Sequence, residues 1–493
     1  MALSLRRNSL VSVAGSLVRF AVALLLAPLL IRLMGLEDYG IWMVLLSLVS
    51  LSALAEMGIG SAATVHLAAS RTGGTPRQVI VGSSLALLTA LGTAVAVAGV
   101  LAADRIALLV VGGRAEREDF AGAVAVLAIG LLPRLWQLWL TCYQAGLQRY
   151  DLQVKGETAF FLALNAGTVV LAWKSAGFVS LAWWHLGATV LAICLHLLLL
   201  RSAGERLAGA RWSGREAAEL VRLGSAHWLS SLGSILFGRV DRLIVSAALG
   251  LEAVGLYSAA MSVVTQINGF SALPIQPIVP AVSAAHARGD AVGLRRIFTR
   301  ASRVNATVVY VLAGTIFWAA APIASVVTPV RAGEVADLLQ VLAAAYAAYS
   351  LFGAGYYTLL GLRDVTANAA GTLAGAALTL GLIWWLAPRY GLEAAAWANV
   401  GFSVVWVANL AAAKRIGLPL RGLAEIYLPV CVSLLVCYLW SRASWAGGFP
   451  DGSWFLGWGL CMLLAVWVGG EVVREGWLSV TGRLFPTLAP RRP

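Results

Sequence analysis

Eight residues, Gly35-Leu36-Glu37-Asp38-Tyr39-Gly40-Ile41-Trp42, return 215 positions later as Gly250-Leu251-Glu252-Ala253-Val254-Gly255-Leu256-Tyr257. Each copy lies between two long apolar segments, so the duplicated object is a bundle of membrane-crossing helices rather than a soluble module. The echo continues along the chain. Gly146-Leu147 recurs as Gly361-Leu362, and Gly177, Ala182, Trp183 and Gly187 recur as Gly391, Ala396, Trp397 and Gly401, all at an offset of 214–215. A single Gly-Leu match is cheap in such a composition, but agreement at one offset in three places is not.

Of the 493 residues, 60% are hydrophobic and 12% charged, where a soluble chain carries about a quarter charged residues. The apolar residues form continuous blocks of roughly 20 to 27, long enough to cross a hydrocarbon core of about 30 Å. Continuous blocks exclude a membrane β-barrel, whose short strands alternate. Hydropathy and breakers predict about fourteen spans, near 9–34, 40–66, 78–102, 120–146, 153–173, 178–200, 222–248, 255–285, 303–328, 335–361, 366–387, 392–413, 422–441 and 453–473. The expected fold class is an all-α polytopic membrane protein of two parallel-repeat six-helix bundles plus two C-terminal helices. Its expected domains are 1–200, a cytoplasmic linker at 201–221, a second bundle at 222–415, and 416–493 with the last two helices and the tail. An even number of spans per copy makes the copies parallel, related by an axis along the membrane normal.

With the N-terminus inside, about 24 of the 36 basic residues fall on the inner side and about 8 on the outer, a positive-inside bias that places both termini in the cytoplasm. The net charge of +13 therefore sets topology. No basic globular domain exists to hold nucleic acid. The first apolar segment is too long for a signal-peptide core and reads as a retained helix. Five cysteines, Cys142, Cys194, Cys431, Cys437 and Cys461, all lie in apolar blocks and show no metal or disulfide spacing. In the 201–222 connection, Ser213-Gly214-Arg215-Glu216 fits a capping box at the head of the seventh helix.

Ionised side chains near the bilayer centre cost roughly 2.5–3.5 kcal/mol on insertion scales and demand an explanation. Arg19, Arg134, Arg239 and Arg242 are the cations of this kind, and Glu56 and Asp241 the carboxylates. The excess is positive. Guanidinium groups suit phosphate because their planar fork donates two parallel hydrogen bonds and stays charged at any working pH. We therefore read the four arginines as contacts for an anionic headgroup, with Arg19 first and Arg134 next. Glu56 is expected to pair with Arg19, and Asp241 to orient a neighbouring arginine. Arg242, near the end of its helix, also fits a side chain that snorkels to the headgroups.

Pro274, Pro277 and Pro280 fall on one side of the eighth span, so this helix must kink or unwind. Together with Pro28 in the first span they are the hinge candidates, and a static bend fits the pattern equally well. The histidines show no ligand spacing, and the tryptophans cluster toward span ends as an interfacial belt. No P-loop, GxSxG or HExxH motif is present. We accordingly expect no catalytic residues, cofactor or metal, and no ATP-driven step on this chain.

Pro28-Leu29-Leu30-Ile31-Arg32-Leu33-Met34-Gly35-Leu36-Glu37-Asp38-Tyr39-Gly40-Ile41-Trp42, Ala55-Glu56-Met57-Gly58-Ile59-Gly60, and Asp241-Arg242-Leu243-Ile244-Val245 with the following Leu249-to-Tyr257 stretch resemble the polysaccharide-transporter branch of the multidrug/oligosaccharidyl-lipid/polysaccharide exporter superfamily. The resemblance covers essentially the whole chain. It implies a flippase that moves undecaprenyl-pyrophosphate-linked oligosaccharide across the bacterial plasma (inner) membrane for O-antigen, capsule or exopolysaccharide synthesis. It also implies a cationic cavity, membrane lipids around the chain, and a polysaccharide polymerase and chain-length regulator as prospective partners. Two other readings stay open: a cation antiporter of the multidrug and toxin extrusion type, and a non-transporting scaffold of a glycan-polymerising complex. A lipid II flippase is a nearer variant. Aligned by the repeat, Arg19, Arg239 and Arg242 stand opposite Ser234, Leu24 and Ala27, so the charges lie where the two copies diverge.

Overall fold

The computed structural model describes residues 18–446, except 20–21, 24, 51, 71–73, 113–116, 206, 208 and 365, together with 457–459 and 462–463. Most of the fourteenth predicted span, the tail and the start of the first span thus lie outside the described residues. Among the described residues there is no strand, and eight helical stretches are long and apolar enough to cross a membrane. In lipid the backbone must satisfy its own polar groups, and a helix does so within one segment. The fold class is the expected one. The long stretches number fewer than the predicted spans because several spans are broken by short turns and one stretch merges two of them.

The chain forms two compact units, Met1–Ser258 and Ala259–Pro493. The first contains α1 (Leu25–Met34), α2 (Leu36–Ser50), α3 (Ile59–Ala69), α4 (Arg77–Val110), α5 (Arg117–Gly146), α6 (Tyr150–Trp173), α7 (Phe178–Ser202), α8 (Gly214–Phe237), α9 (Val240–Leu249) and the start of α10 (Leu251–Ala272). The second takes the rest of α10, then α11 (Ile278–Ala287), α12 (Ala291–Val327), α13 (Ala332–Ser350), α14 (Gly353–Gly361), α15 (Thr366–Ala398), α16 (Val407–Ile416) and α17 (Leu420–Ala446). Where sequence reading opens a second bundle at residue 222, the contacts of α8 and α9 place both helices in the first unit.

The 201–221 connection is largely exposed among its described residues but tied down by hydrogen bonds near its end. Arg211 N donates to Gln78 O at 2.9 Å, and Ser213 N to Ser83 Oγ at 3.1 Å. Ser213 Oγ caps α8 by accepting from Glu216 N at 3.5 Å. The returning half of the capping box is replaced. Glu216 instead holds His66 Nδ1 at 2.6 Å and accepts from Thr75 Oγ1 at 3.2 Å, clipping α8 to the end of α3 and the turn before α4.

Two helix breaks fall inside predicted spans of the first unit. At 56–58 the second span turns through Met57 (φ 48°) and Gly58 (φ 71°). At 238–239 the seventh span turns between α8 and α9. Gly58 has a second reason to be glycine. A Cβ there would run into Gly224 of α8, standing 2.9 Å from its carbonyl carbon, so α8 crosses the turn with backbone on backbone. In the second unit α10 stops at Ala272, residues 273–277 form turns, and Pro277 caps α11. Pro274, Pro277 and Pro280 are exposed, whereas Pro28 is buried in α1.

The duplication survives as geometry. Gly35 and Gly250 both take a positive φ, 87° and 86°. A Cβ on Gly40 would press on the Leu251 carbonyl, and one on Gly255 would press on the Leu36 carbonyl. Since 36 and 251 are repeat partners, as are 40 and 255, this is one contact made twice. Within the first unit, Gly146 packs on Leu67 and Thr64, its would-be Cβ 2.8 Å from Leu67 Cβ and 3.1 Å from Thr64 O. Within the second, Gly361 packs on Val282 and Val279 at 2.8 and 2.9 Å, each 215 residues on.

The helix ends that follow match as well. Gln148 N donates to Ala145 O at 2.8 Å and Arg149 N to Gln144 O at 2.9 Å. Arg363 N donates to Leu360 O at 3.1 Å and Asp364 N to Leu359 O at 2.9 Å. Both are Schellman ends, and both put a non-glycine residue in the left-handed position, Gln148 at φ 57° and Arg363 at φ 60°.

Candidate anion site in the first unit

The interior of the first bundle carries a polar line. On α6, Gln153, Gly156, Glu157 and Phe160 share a face, because residues three, four and seven apart stack along a helix. Arg19, in the first span, places Nη1 3.1 Å from Glu157 Oε2, with 29% of the arginine and 32% of the glutamate side chain exposed. Gln153 Nε2 donates to the other carboxylate oxygen, Oε1, at 3.1 Å. The expected pairing of Arg19 with Glu56 gives way to Glu157, and the reason is local. The chain breaks at 56–58, and Glu56 Oε1 accepts from Gly60 N at 3.0 Å, serving the exposed amides at the start of α3.

Arg134 comes from α5, one residue after Pro133. Its guanidinium donates to Gln137 Oε1 and lies over the Phe160 ring, 4.8 Å from the centroid, a cation–π contact. Glu157 also lies within electrostatic range of Arg134. A relay leads onward from Gln137. Its Nε2 stands 3.4 Å from His196 Nε2, and His196 Nδ1 stands 3.0 Å from Gln144 Oε1. These roles are mutually consistent when Gln137 donates to Nε2 and Nδ1–H donates to Gln144, the neutral tautomer of His196. Gly156 makes room for the ring, since a Cβ there would stand 2.8 Å from His196 Nε2 and closer still to the ring carbon between the nitrogens. Each hydrogen bond fixes the next rotamer, so Arg134 is aimed by a chain of partners reaching from α5 to α7.

The other two sequence-predicted arginines gather on α9. Arg239 is exposed at its start. Asp241 is fully buried in its first turn, where the helix dipole favours a carboxylate. Asp241 Oδ1 accepts from Arg242 N at 2.8 Å and Oδ2 from Tyr257 OH at 3.1 Å. Arg242 is 7% exposed, which rules out snorkelling, and interacts electrostatically with Asp241 and with Tyr39 of α2.

The structure thus brings Arg19 and Arg134 near Glu157, sets Asp241 against Tyr257 and Arg242 near Tyr39, and leaves Arg239 exposed within electrostatic range of Asp241. Sequence reasoning missed Glu157, Gln137, Gln144 and His196. A carboxylate in Lys155-Gly156-Glu157 reads as an end-of-span residue when the fifth span is started at 153, and the histidine reads as a packing residue. Among the described residues no group of three or more His, Cys, Asp and Glu side chains could hold a metal ion. Chemically, the line offers two fixed guanidinium groups against one carboxylate. That arrangement carries a net positive charge.

A model of the family described as polysaccharide biosynthesis protein matches residues 5–286. No curated protein matches the chain in sequence. Solved structures share its fold. The lipid II flippase MurJ, in an inward closed conformation, aligns with a TM-score of 0.75 at 12% identity, over 94% of this chain and 99% of that one. An inward-facing multidrug resistance MATE family transporter of the MOP superfamily aligns with a TM-score of 0.68 at 16% identity, over 83% and 98%. A MOP superfamily transporter from Pyrococcus furiosus, described as having a binding pocket of reverse polarity, aligns with a TM-score of 0.53 at 15% identity, over 88% and 93%.

Proposed function

The chain belongs to the polysaccharide biosynthesis protein family, and from that premise we propose that it is a flippase for undecaprenyl-pyrophosphate-linked oligosaccharide, working by alternating access in the bacterial inner membrane with both termini cytoplasmic. The observation that carries the reading is the pair Arg19 and Arg134, drawn from two helices of one bundle and balanced by the single carboxylate Glu157. Two guanidinium groups facing one carboxylate leave a net positive site, and a pyrophosphate diester is a doubly charged anion whose phosphoryl oxygens match guanidinium donors.

In this mechanism the pyrophosphate and the first sugars enter the bundle while the polyprenyl tail stays in lipid. Arg19 and Arg134 hold the phosphoryl oxygens by charge-assisted hydrogen bonds, and Arg239 and Arg242 assist. Asp241 steadies Arg242. The turn at 273–277, with its exposed prolines, is the hinge that absorbs backbone rotation as the cavity changes sides. The product, a lipid-linked glycan on the outer leaflet, passes to a polymerase for O-antigen, capsule or exopolysaccharide assembly.

The test uses cells that depend on this chain for surface polysaccharide. Arg19→Ala and Arg134→Ala should each abolish polymer export while leaving membrane insertion at the wild-type level, and lipid-linked oligosaccharide should accumulate on the inner leaflet. Normal export by the double variant would sink the site. A wild-type distribution between leaflets after deletion of the gene, with polymer nevertheless lost, would replace the flippase by a scaffold.

A further inference from the structure

Glu157 is a carboxylate set against the arginines of a site that takes an anion, a placement the anion site alone leaves unexplained. We propose that Glu157 is a built-in counter-ion: a carboxylate that occupies the pyrophosphate position on Arg19 between substrates and is displaced when substrate binds. The inference rests on the flippase reading above and adds the group that sets how tightly the site holds its anion.

Three observations separate this role from that of a structural ion pair. The Arg19–Glu157 contact is open, with 29% and 32% of the two side chains exposed. An ion pair that is not sealed inside the protein is worth little and exchanges partners at small cost. Glu157 also has an anchor independent of Arg19, because Gln153 Nε2 holds its second oxygen at 3.1 Å from one turn earlier on the same helix. Displaced from Arg19, the carboxylate keeps a partner and its place. Finally, the second cation does not need Glu157 for support. Arg134 is held by Gln137 and by the Phe160 ring, so it stays aimed when Glu157 leaves.

The charge count gives the exchange its direction. With Glu157 in place, two guanidinium groups and one carboxylate sum to +1. A pyrophosphate diester of charge −2 brings the sum to −1, with Glu157 now beside a like charge. Like-charge proximity disfavours the bound state, so the carboxylate lowers affinity and speeds release by returning to Arg19. A transporter needs this, because an anion held by two arginines with no competing carboxylate beside it would bind well and leave slowly. Glu157 is thus a positioning residue acting through Arg19, and its removal should raise affinity rather than lower it.

The experiment uses the full chain purified into nanodiscs, with farnesyl pyrophosphate as the probe, titrated calorimetrically at fixed ionic strength. Glu157→Gln, which keeps the size and the Gln153 hydrogen bond, should bind the probe roughly five- to tenfold more tightly than wild type. In an Arg19→Gln background the same change should bring little gain, because the competition acts through Arg19. Glu157→Ala should also bind more tightly, and added acetate should reverse the gain by refilling the carboxylate position. A structural role predicts the opposite sign, since a loosened bundle binds more weakly. Affinity for Glu157→Gln and Glu157→Ala that is equal to or below wild type overturns the proposal. Absence of any probe binding by wild type would instead overturn the anion-site reading beneath it.

Discussion

Replacing the two glycines of the duplicated contact tests whether the repeat is a physical object or only a pattern of letters. A Cβ on Gly40 would run into the Leu251 carbonyl and stand 3.0 Å from the Gly255 nitrogen. A Cβ on Gly255 would run into the Leu36 carbonyl and stand 3.0 Å from Leu36 Cγ. The obstacles are chiefly backbone, which cannot rotate away, so α2 and the start of α10 must part. Overpacking of this kind costs about 1–3 kcal/mol. Alanine's better helix propensity returns about 1 kcal/mol, leaving roughly 0–2 kcal/mol of net loss, centred on about 1 kcal/mol. For a unit of about 250 residues, each kcal/mol lowers the melting midpoint by about 2–4 °C. Gly40→Ala and Gly255→Ala should therefore each melt about 2–4 °C below wild type, by similar amounts. The double variant should lose less than the sum, because the second methyl enters a gap the first has opened. Intrinsic fluorescence of the 19 tryptophans during a thermal ramp in detergent measures all three. Single variants that melt at or above wild type, or losses that add in full, would refute the reasoning.

The matched helix ends give a stabilising prediction: Gln148→Gly and Arg363→Gly relieve a left-handed non-glycine backbone, and each should gain up to about 1 kcal/mol in the same melting assay. Gly156→Ala should push the His196 ring off Gln137 and Gln144, and pyrophosphate binding should weaken at least threefold as Arg134 loses its aim, by a rough estimate for one lost buried hydrogen bond; unchanged binding would show that the relay does not position the cation. Asp364 supplies a pH prediction outside the membrane spans. The Thr366 hydroxyl and the Arg415 guanidinium hold its carboxyl below the usual carboxylate range. A depressed folded value means the contribution is present above the unfolded value near pH ~4 and lost as pH falls through the folded one. Hydrogen exchange at the start of α15 should accordingly speed up below about pH 4 in wild type, and Asp364→Asn should remove that dependence.

What the sequence made legible follows from the length scale of each signal. Apolar blocks and the 215-residue offset are long-range patterns, and the all-α class and the equivalence of Gly40 with Gly255 and of Gly146 with Gly361 were readable from them, whereas the contacts these glycines make were not. The turns at 56–58 and 238–239 were not, because two or three residues barely move a hydropathy average. Gly58 and Gly238 were the only marks, and a membrane helix tolerates many glycines. The break after Ala272 was readable because three prolines each remove a hydrogen bond. Among the site residues, Arg19 and Arg134 announced themselves by charge and depth. Glu157 did not, since its role depends on which helix faces the first span, and that is a property of packing. Glu56 was misassigned for the same reason: adjacency in sequence made it the natural partner of Arg19, but the local break turned it to Gly60.

The contact that joins Gly40 to Leu251 and Gly255 to Leu36 is self-complementary: each side offers the same surface that the other receives. Homodimers with two-fold symmetry are built in this way, so it is the contact that two copies of a half-length ancestor would make. In such a dimer every substitution appears twice, and a charge placed on one side is mirrored on the other. Joining two copies in one chain lifts that constraint and can keep the glycine seam. Arg19 here stands opposite Ser234, with no second arginine at the matching position. A fused chain can thus carry a one-sided charge on a two-sided frame.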